Sequence, residues 1–233
     1  MSVSQAFNNN LSLTGLENSH ILWRIVNEMN RLSLDVQTFI QEINELWEPV
    51  YPYLAKHISG AYGKKDGVVL EIGPFCGVIY SLISQGIGSQ FMIGSFPNEM
   101  KLFFNDQIRK KGLVEKVNIV ETDESLTGIH ENSADLVIFR GALFFPSIFR
   151  VDYCAVKKVL RHGGVAMIGG GFGKFTPGEV IGPIANRSKD LNLKIGKIEV
   201  TAEQIKDDIK ASSVVIDYEI IHEGGLWVIL RKG

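Results

Sequence analysis

The residues best placed to do chemistry lie in one stretch, Val68-Val69-Leu70-Glu71-Ile72-Gly73-Pro74-Phe75-Cys76-Gly77. A buried-strand run ends in an acid, meets a glycine loop, and continues as an apolar helix pattern from Val78 to Ile87. A nucleotide-binding α/β sheet begins this way. The helix start offers unpaired N–H groups, and glycine lets a ligand approach the backbone closely. The acid narrows the chemistry. A carboxylate at a strand tip repels a phosphate, whereas it welcomes an ammonium, a sulfonium or a ribose hydroxyl.

Further groups could shape a pocket beside that loop. Trp47, Tyr51 and Tyr53 cluster before it, and Phe144-Phe145-Pro146 and Gly169-Gly170-Gly171-Phe172-Gly173-Lys174 follow later strands. Four glycines around Phe172 and Lys174 suggest a backbone that must approach a ligand or move; a strand-end turn is the rival reading. Lys174 could orient a substrate carboxylate or phosphate. Trp47 lies on an apolar helical face and reads as core or as pocket, as do Phe144 and Phe145, and the tyrosines read as packing residues. Cys76 could be reactive at a helix start or serve as a small buried apolar residue. The five histidines are scattered without zinc spacing, so no metal site is expected.

These groups need elements to hold them. Residues 1–15 are polar and Asn-rich and read as an irregular arm. Apolar residues then recur at spacings of three and four through Leu22, Ile25, Val26, Met29 and Leu32, and again from Val36 to Trp47, which is helical. Ser33 or Asp35 could cap the second run, and a third helix begins near Pro52 and ends before Gly60. Residues 1–62 thus form a helical arm or cap. From Gly67 the pattern alternates strand and helix. Strands are expected at Val68–Ile72, Gln90–Gly94, Val117–Glu121, Asp135–Phe139 and Val165–Gly169, with helices at Val78–Ile87, Asn98–Lys111 and Ile148–Leu160. Such alternation implies a parallel sheet covered on both faces. In the tail, a helical stretch opens at Thr176-Pro177, Thr201 and Gln204 form a capping box, and Val214–His222 and Leu226–Leu230 make an antiparallel hairpin.

Four of these segments, in order, resemble the class I S-adenosylmethionine-dependent methyltransferases. Leu70 to Gly77 is similar to the acidic glycine-loop motif. Gly94-Ser95-Phe96-Pro97-Asn98-Glu99-Met100 is similar to the second-strand end, Ser133 to Leu143 to the fourth-strand motif, and Val159-Leu160-Arg161-His162-Gly163-Gly164-Val165-Ala166 to the turn into the fifth strand. The resemblance implies a Rossmann-like, doubly wound, mostly parallel seven-stranded sheet with a C-terminal antiparallel hairpin, over residues 63–233. It implies S-adenosyl-L-methionine as cofactor. Glu71 would hold the methionine amino group, and Gly73, Pro74 and Gly77 would wrap the cofactor. Asp123 and Glu124 would lie near the adenine, and Arg140 and Gly141 beside the sulfonium end. Trp47, Tyr51, Phe144, Phe145, Phe172 and Lys174 would face the acceptor. Two positions depart from the pattern. Phe75 replaces the middle glycine, and Ser95, beside Phe96, stands where an acid usually accepts hydrogen bonds from the ribose; a neutral hydroxyl lacks that charge-assisted strength.

Methyl transfer is an in-line displacement that mainly requires alignment and exclusion of water. No recognisable base is present, and none is needed for a thiol, amine or enolate acceptor. Two alternatives share the motifs: a nucleoside-binding scaffold or partner subunit without turnover, favoured by Ser95 and Phe75, and a nicotinamide-dependent oxidoreductase, which wants a more regular glycine fingerprint. A formal net charge of -2 gives no electrostatic reason to bind nucleic acid. The expected partner is therefore a small molecule, and a helical N-terminal arm could pair with a second copy to make a homodimer. With two cysteines far apart, no signal-peptide pattern and no long apolar run, the expected location is the cytoplasm, away from membranes.

Overall fold

The computed structural model describes residues 33–233. The expected irregular arm and the helix pattern from Leu22 to Leu32, with any pairing built on them, lie outside the described residues. Two helices open the described chain, α1 (Leu34–Leu46) and α2 (Tyr51–Tyr62), joined by a short 3-10 turn at Glu48–Val50. The Ser33 hydroxyl accepts the Val36 N–H at 3.3 Å and starts α1. Helix α2 runs through Gly60 and stops at Gly63, whose φ of 71° gives the left-handed turn that ends a helix.

The sheet comprises β1 (Val68–Ile72), β2 (Gln90–Ser95), β3 (Val117–Glu121), β4 (Ala134–Arg140), β5 (Leu160–Gly170), β6 (Asp217–Ile221) and β7 (Leu226–Arg231). The helices between are α3 (Val78–Ser84), α4 (Lys101–Lys110), α5 (Tyr153–Val159), α6 (Gly178–Ile195) and α7 (Ala202–Ala211). Strand order is β3-β2-β1-β4-β5-β7-β6. The first five strands pair in parallel, while β7 runs antiparallel to both β5 and β6. All five residues of β1 are buried, as continuous apolar strands covered on both faces must be. Each such Val, Leu or Ile side chain contributes about 1.5–3 kcal/mol by leaving water.

Several boundaries differ from expectation, each for a local reason. β5 begins at Leu160, because Leu160 pairs with Ala134 across a register shift before Leu136 meets Val165; the Arg161-His162-Gly163-Gly164 turn is a bulge within the strand. α5 begins only at Tyr153, where the Asp152 carboxylate accepts the Ala155 N–H at 2.9 Å. β6 begins at Asp217, which pairs with Arg231 at the end of β7. The Thr201–Gln204 capping box forms as expected, with reciprocal bonds of 2.8 and 3.2 Å.

The order reverses between β1 and β4, so the loops after these two strands diverge and leave a crevice at their carboxyl ends. Helices α1 and α2 pack on α6 and α3 respectively, and the junction between them reaches that end of the sheet, where Asn44 bonds the Pro74 carbonyl and Tyr51 bonds Arg140.

Candidate functional site

Glu71 is the penultimate residue of β1, with its side chain wholly buried. Its carboxylate accepts the backbone N–H groups of Gly77 at 3.0 Å, Val78 at 3.3 Å and Ile79 at 2.9 Å. These are the orphan donors of the first turn of α3, where the helix dipole favours a negative charge. Burial pushes the Glu71 carboxyl above its ordinary value of 4.5, opposed by the Arg140 charge and by the three amides. The acid at the strand tip thus caps the helix that follows it.

Arg140 ends β4 and is 4% exposed. Nε donates to the Phe75 carbonyl at 2.9 Å, and Nη2 donates to the Tyr51 hydroxyl at 2.8 Å and to Asn44 Oδ1 at 3.3 Å. Asn44 Nδ2 donates to the Pro74 carbonyl at 2.7 Å, and the Tyr51 hydroxyl donates to the Asn44 carbonyl at 3.1 Å. One buried network therefore ties the glycine loop to α1, α2 and β4. Burial, offset by Arg140, raises the Tyr51 phenol, so it stays neutral. Burial and the Glu71 charge raise the Cys76 thiol well above its usual range; its Sγ donates to the Gly73 carbonyl at 3.0 Å. Cys76 is a buried neutral thiol, not an activated one.

The loop glycines make room for rings of this chain. A Cβ on Gly77 would lie 2.5 Å from Tyr51 Cε2, one on Gly73 2.8 Å from Phe139 Cε2, and one on Gly141 2.4 Å from Phe75 Cδ2. Phe75 packs on Phe145 at 4.8 Å between centroids, and Phe139 stacks on Phe149 at 5.4 Å. At the tip of β2, Ser95 is wholly buried, and its Oγ has no hydrogen-bond partner among the described residues. Phe96 follows, half-buried. Asp123 and Glu124 are exposed beyond β3; Asp123 Oδ1 accepts the Thr127 N–H at 3.0 Å and Glu124 Oε1 the Arg150 N–H at 3.0 Å.

A cavity of about 290 Å³ opens at the carboxyl ends of β4 and β5. Trp47, Phe75, Arg140, Phe144, Phe145 and Phe172 supply much of its wall, with Gly141 at the tip of β4. Trp47 and Phe172 stack with centroids 4.6 Å apart and planes 3° from parallel. The Trp47 Nε1–H donates to Ser188 Oγ at 2.9 Å, which pins the stack to α6. The cavity thus gathers Trp47, Phe144, Phe145, Phe172, Arg140 and Gly141, but not Glu71, Ser95 or Lys174. Lys174 instead faces Glu223, with Nζ 3.5 Å from the carboxylate. The glycines before it serve a second backbone: a Cβ on Gly171 would meet Gly224 O at 2.3 Å, and the Gly173 N–H donates to that same carbonyl at 2.7 Å.

The sequence reading did not single out Asn44 or the contribution of α6. Ser188 and Asn192 line the cavity one helical turn apart. A polar residue at 188, at helical spacing within the apolar stripe Ile184, Leu191 and Ile195, was the available signal, and the structure buries it.

No protein-family model matches this chain, and no curated protein does. Solved structures do. A candidate S-adenosyl-L-methionine-dependent methyltransferase of Methanococcus maripaludis is 24% identical, with a TM-score of 0.69 over 87% of this chain and 95% of that one. PigF, solved with S-adenosylhomocysteine (SAH), is 18% identical, with a TM-score of 0.54 over 98% of this chain and 64% of that one. The [4+2]-cyclase SpnF is 15% identical, with a TM-score of 0.52 over 78% of this chain and 80% of that one. With its strand order and the antiparallel β7, the chain has the Rossmann-like fold of the class I S-adenosylmethionine-dependent methyltransferases.

Proposed function

We propose that the protein transfers a methyl group from S-adenosylmethionine to a small-molecule acceptor held in the aromatic cavity. One observation carries the reading: the cavity shares Phe75 with the glycine loop and Arg140 and Gly141 with the tip of β4. An acceptor site and a cofactor site must adjoin for in-line transfer, and here the two share walls.

The residues suit the cofactor at its adenosine end. Ser95 Oγ is a buried polar atom without a partner at the tip of β2, the position from which a ribose hydroxyl would be met. Asp123 and Glu124 would face the adenine edge, and the backbone of Gly73, Pro74 and Gly77 would flank the methionine end. The bound cofactor supplies an electrophilic sulfonium methyl. What remains for this chain is to orient the acceptor, keep water out and hold charges in place. Trp47, Phe144, Phe145 and Phe172 do the first two with flat apolar walls. Arg140, held by hydrogen bonds to Phe75, Asn44 and Tyr51, places a fixed guanidinium at the shared wall. No helix among the described residues is long and apolar enough to cross a membrane. The free cysteines Cys76 and Cys154 suit the reducing cytoplasm.

A second reading, a scaffold without turnover, rests on the rings of Tyr51, Phe139 and Phe75 that stand against Gly77, Gly73 and Gly141. Titration calorimetry with S-adenosylmethionine and SAH separates the readings when joined to turnover across an acceptor panel. Methyl transfer requires heat with both ligands and a methylated product. Heat without product in any acceptor class leaves the scaffold, and no heat at millimolar ligand removes both.

A further inference from the structure

Charge in the cavity narrows the class of acceptor. Besides its aromatic walls, the cavity is lined by Arg140, Lys189, Lys197 and Glu199, three cations against one anion. Neither Lys189, Lys197 nor Glu199 forms an ion pair among the described residues. Lys189 is exposed at the mouth; Lys197 is half-buried, with Nζ 5.4 Å from the Phe144 ring centroid, over the wall on which a ligand would lie. Inside, Arg140 donates from Nε and Nη2 but leaves Nη1 without a partner among the described residues. Glu71 offsets the Arg140 charge from the side of the glycine loop, and with Glu199 also in the lining the cavity keeps a surplus of one positive charge, carried by two lysines that form no ion pair among the described residues.

We infer that the cavity accepts a planar aromatic small molecule that carries a carboxylate. Its ring lies against Phe144 and the Trp47–Phe172 stack, and its carboxylate meets Lys197 and Lys189 at the mouth. The opposite edge of the ring then points inward, toward Arg140 and Gly141. Flat apolar walls favour a ring, because aromatic faces gain by stacking beyond simple burial. Two lysines without acidic partners favour an anion over a neutral isostere and also speed its encounter. The inference rests on the acceptor-site reading above for what happens to the ligand, but not for the charge the ligand bears.

The test uses the full chain and two probes of matched shape, 2-naphthoate and its neutral amide 2-naphthamide, titrated calorimetrically at low and at high salt. The naphthoate should bind about tenfold more tightly than the amide at low salt, with the preference shrinking as salt screens it. The double variant Lys189→Gln/Lys197→Gln should reduce the preference below about twofold while the amide binds as before, which shows the cavity intact. Equal binding of both probes, absence of binding by either, or a preference that survives the double variant overturns the inference. SAH titrated into the same samples reads the cofactor separately. Loss of the anion preference with SAH heat intact removes this inference alone, and loss of SAH heat with the preference intact removes the methyl-transfer reading alone.

Discussion

Arg140 engages Tyr51 through both its charge and its donors: Nη2 reaches the phenolic oxygen at 2.8 Å, and the guanidinium carbon lies 4.7 Å from the ring centroid. The two residues lie far apart in the chain, one ending a central strand and the other starting α2. Their bond ties the start of α2 to the tip of β4. Tyr51→Phe keeps the ring and removes the oxygen, leaving a buried cation short of one acceptor. Hydrogen bonds to charged groups contribute about 1.5–3 kcal/mol, so the variant should lose that much in urea unfolding. A loss under half a kcal/mol, within the scatter of surface changes, would show that the bond holds nothing.

Much of this frame was legible in the sequence. β1 and β3 match their expected bounds residue for residue, because a short apolar run between glycine or polar breaks leaves few other options. The type of Glu71 was legible too, but not its partners. A strand-end acid reads as a ligand for a cofactor amine, yet here three backbone amides take it up, a fact set by how tightly α3 begins after Gly77. The Asn44–Tyr51–Arg140 network joins residues that no local pattern connects. The glycine-rich run after β5 was ambiguous for a similar reason: glycine signals a close approach without saying to what, and Gly171 and Gly173 approach the hairpin turn at Gly224.

Ser95 gives a prediction in which stability and binding move in opposite directions. Its buried hydroxyl has no partner among the described residues, and an unsatisfied buried polar group costs about 1–3 kcal/mol. Ser95→Ala should therefore raise the unfolding free energy of the ligand-free protein, by about 1 kcal/mol. If Ser95 meets the ribose, the same change should weaken SAH by about fivefold, the equivalent of one modest hydrogen bond. Calorimetric binding and urea unfolding on one sample read both. Greater stability with unchanged affinity would remove Ser95 from the cofactor site.

Gly77 and Tyr51 should be coupled. A Cβ at position 77 would lie 2.5 Å from the Tyr51 ring, which cannot swing away while its hydroxyl is held by Arg140 and Asn44. Gly77→Ala should cost about 1–3 kcal/mol, the usual range for overpacking a filled site. In a Tyr51→Ala background the steric part disappears, so the double variant should be more stable than the sum of the singles predicts. Strict additivity in a double-mutant cycle would mean that the loop relaxes elsewhere.

His57 sets a pH dependence. Its imidazole is buried, and Nδ1 accepts the Lys174 backbone N–H at 3.2 Å, which requires the unprotonated nitrogen. Burial lowers its pKa below the ordinary 6.5, the Lys174 charge lowers it further, and Glu223 opposes both. In the unfolded chain the ring takes up a proton near 6.5, whereas in the folded protein it does so only at lower pH. Between those values the unfolded state binds more protons, so stability is present above pH 6.5 and is lost as pH falls toward the folded value. His57→Asn keeps a neutral acceptor near the Nδ1 position and cannot titrate. Urea unfolding of both proteins from pH 7.5 to 5.5 should show a decline in the parent that the variant lacks, on the order of 1 kcal/mol for each unit of depression. Parallel profiles would show that the imidazole titrates freely and that the bond to Lys174 does not constrain it.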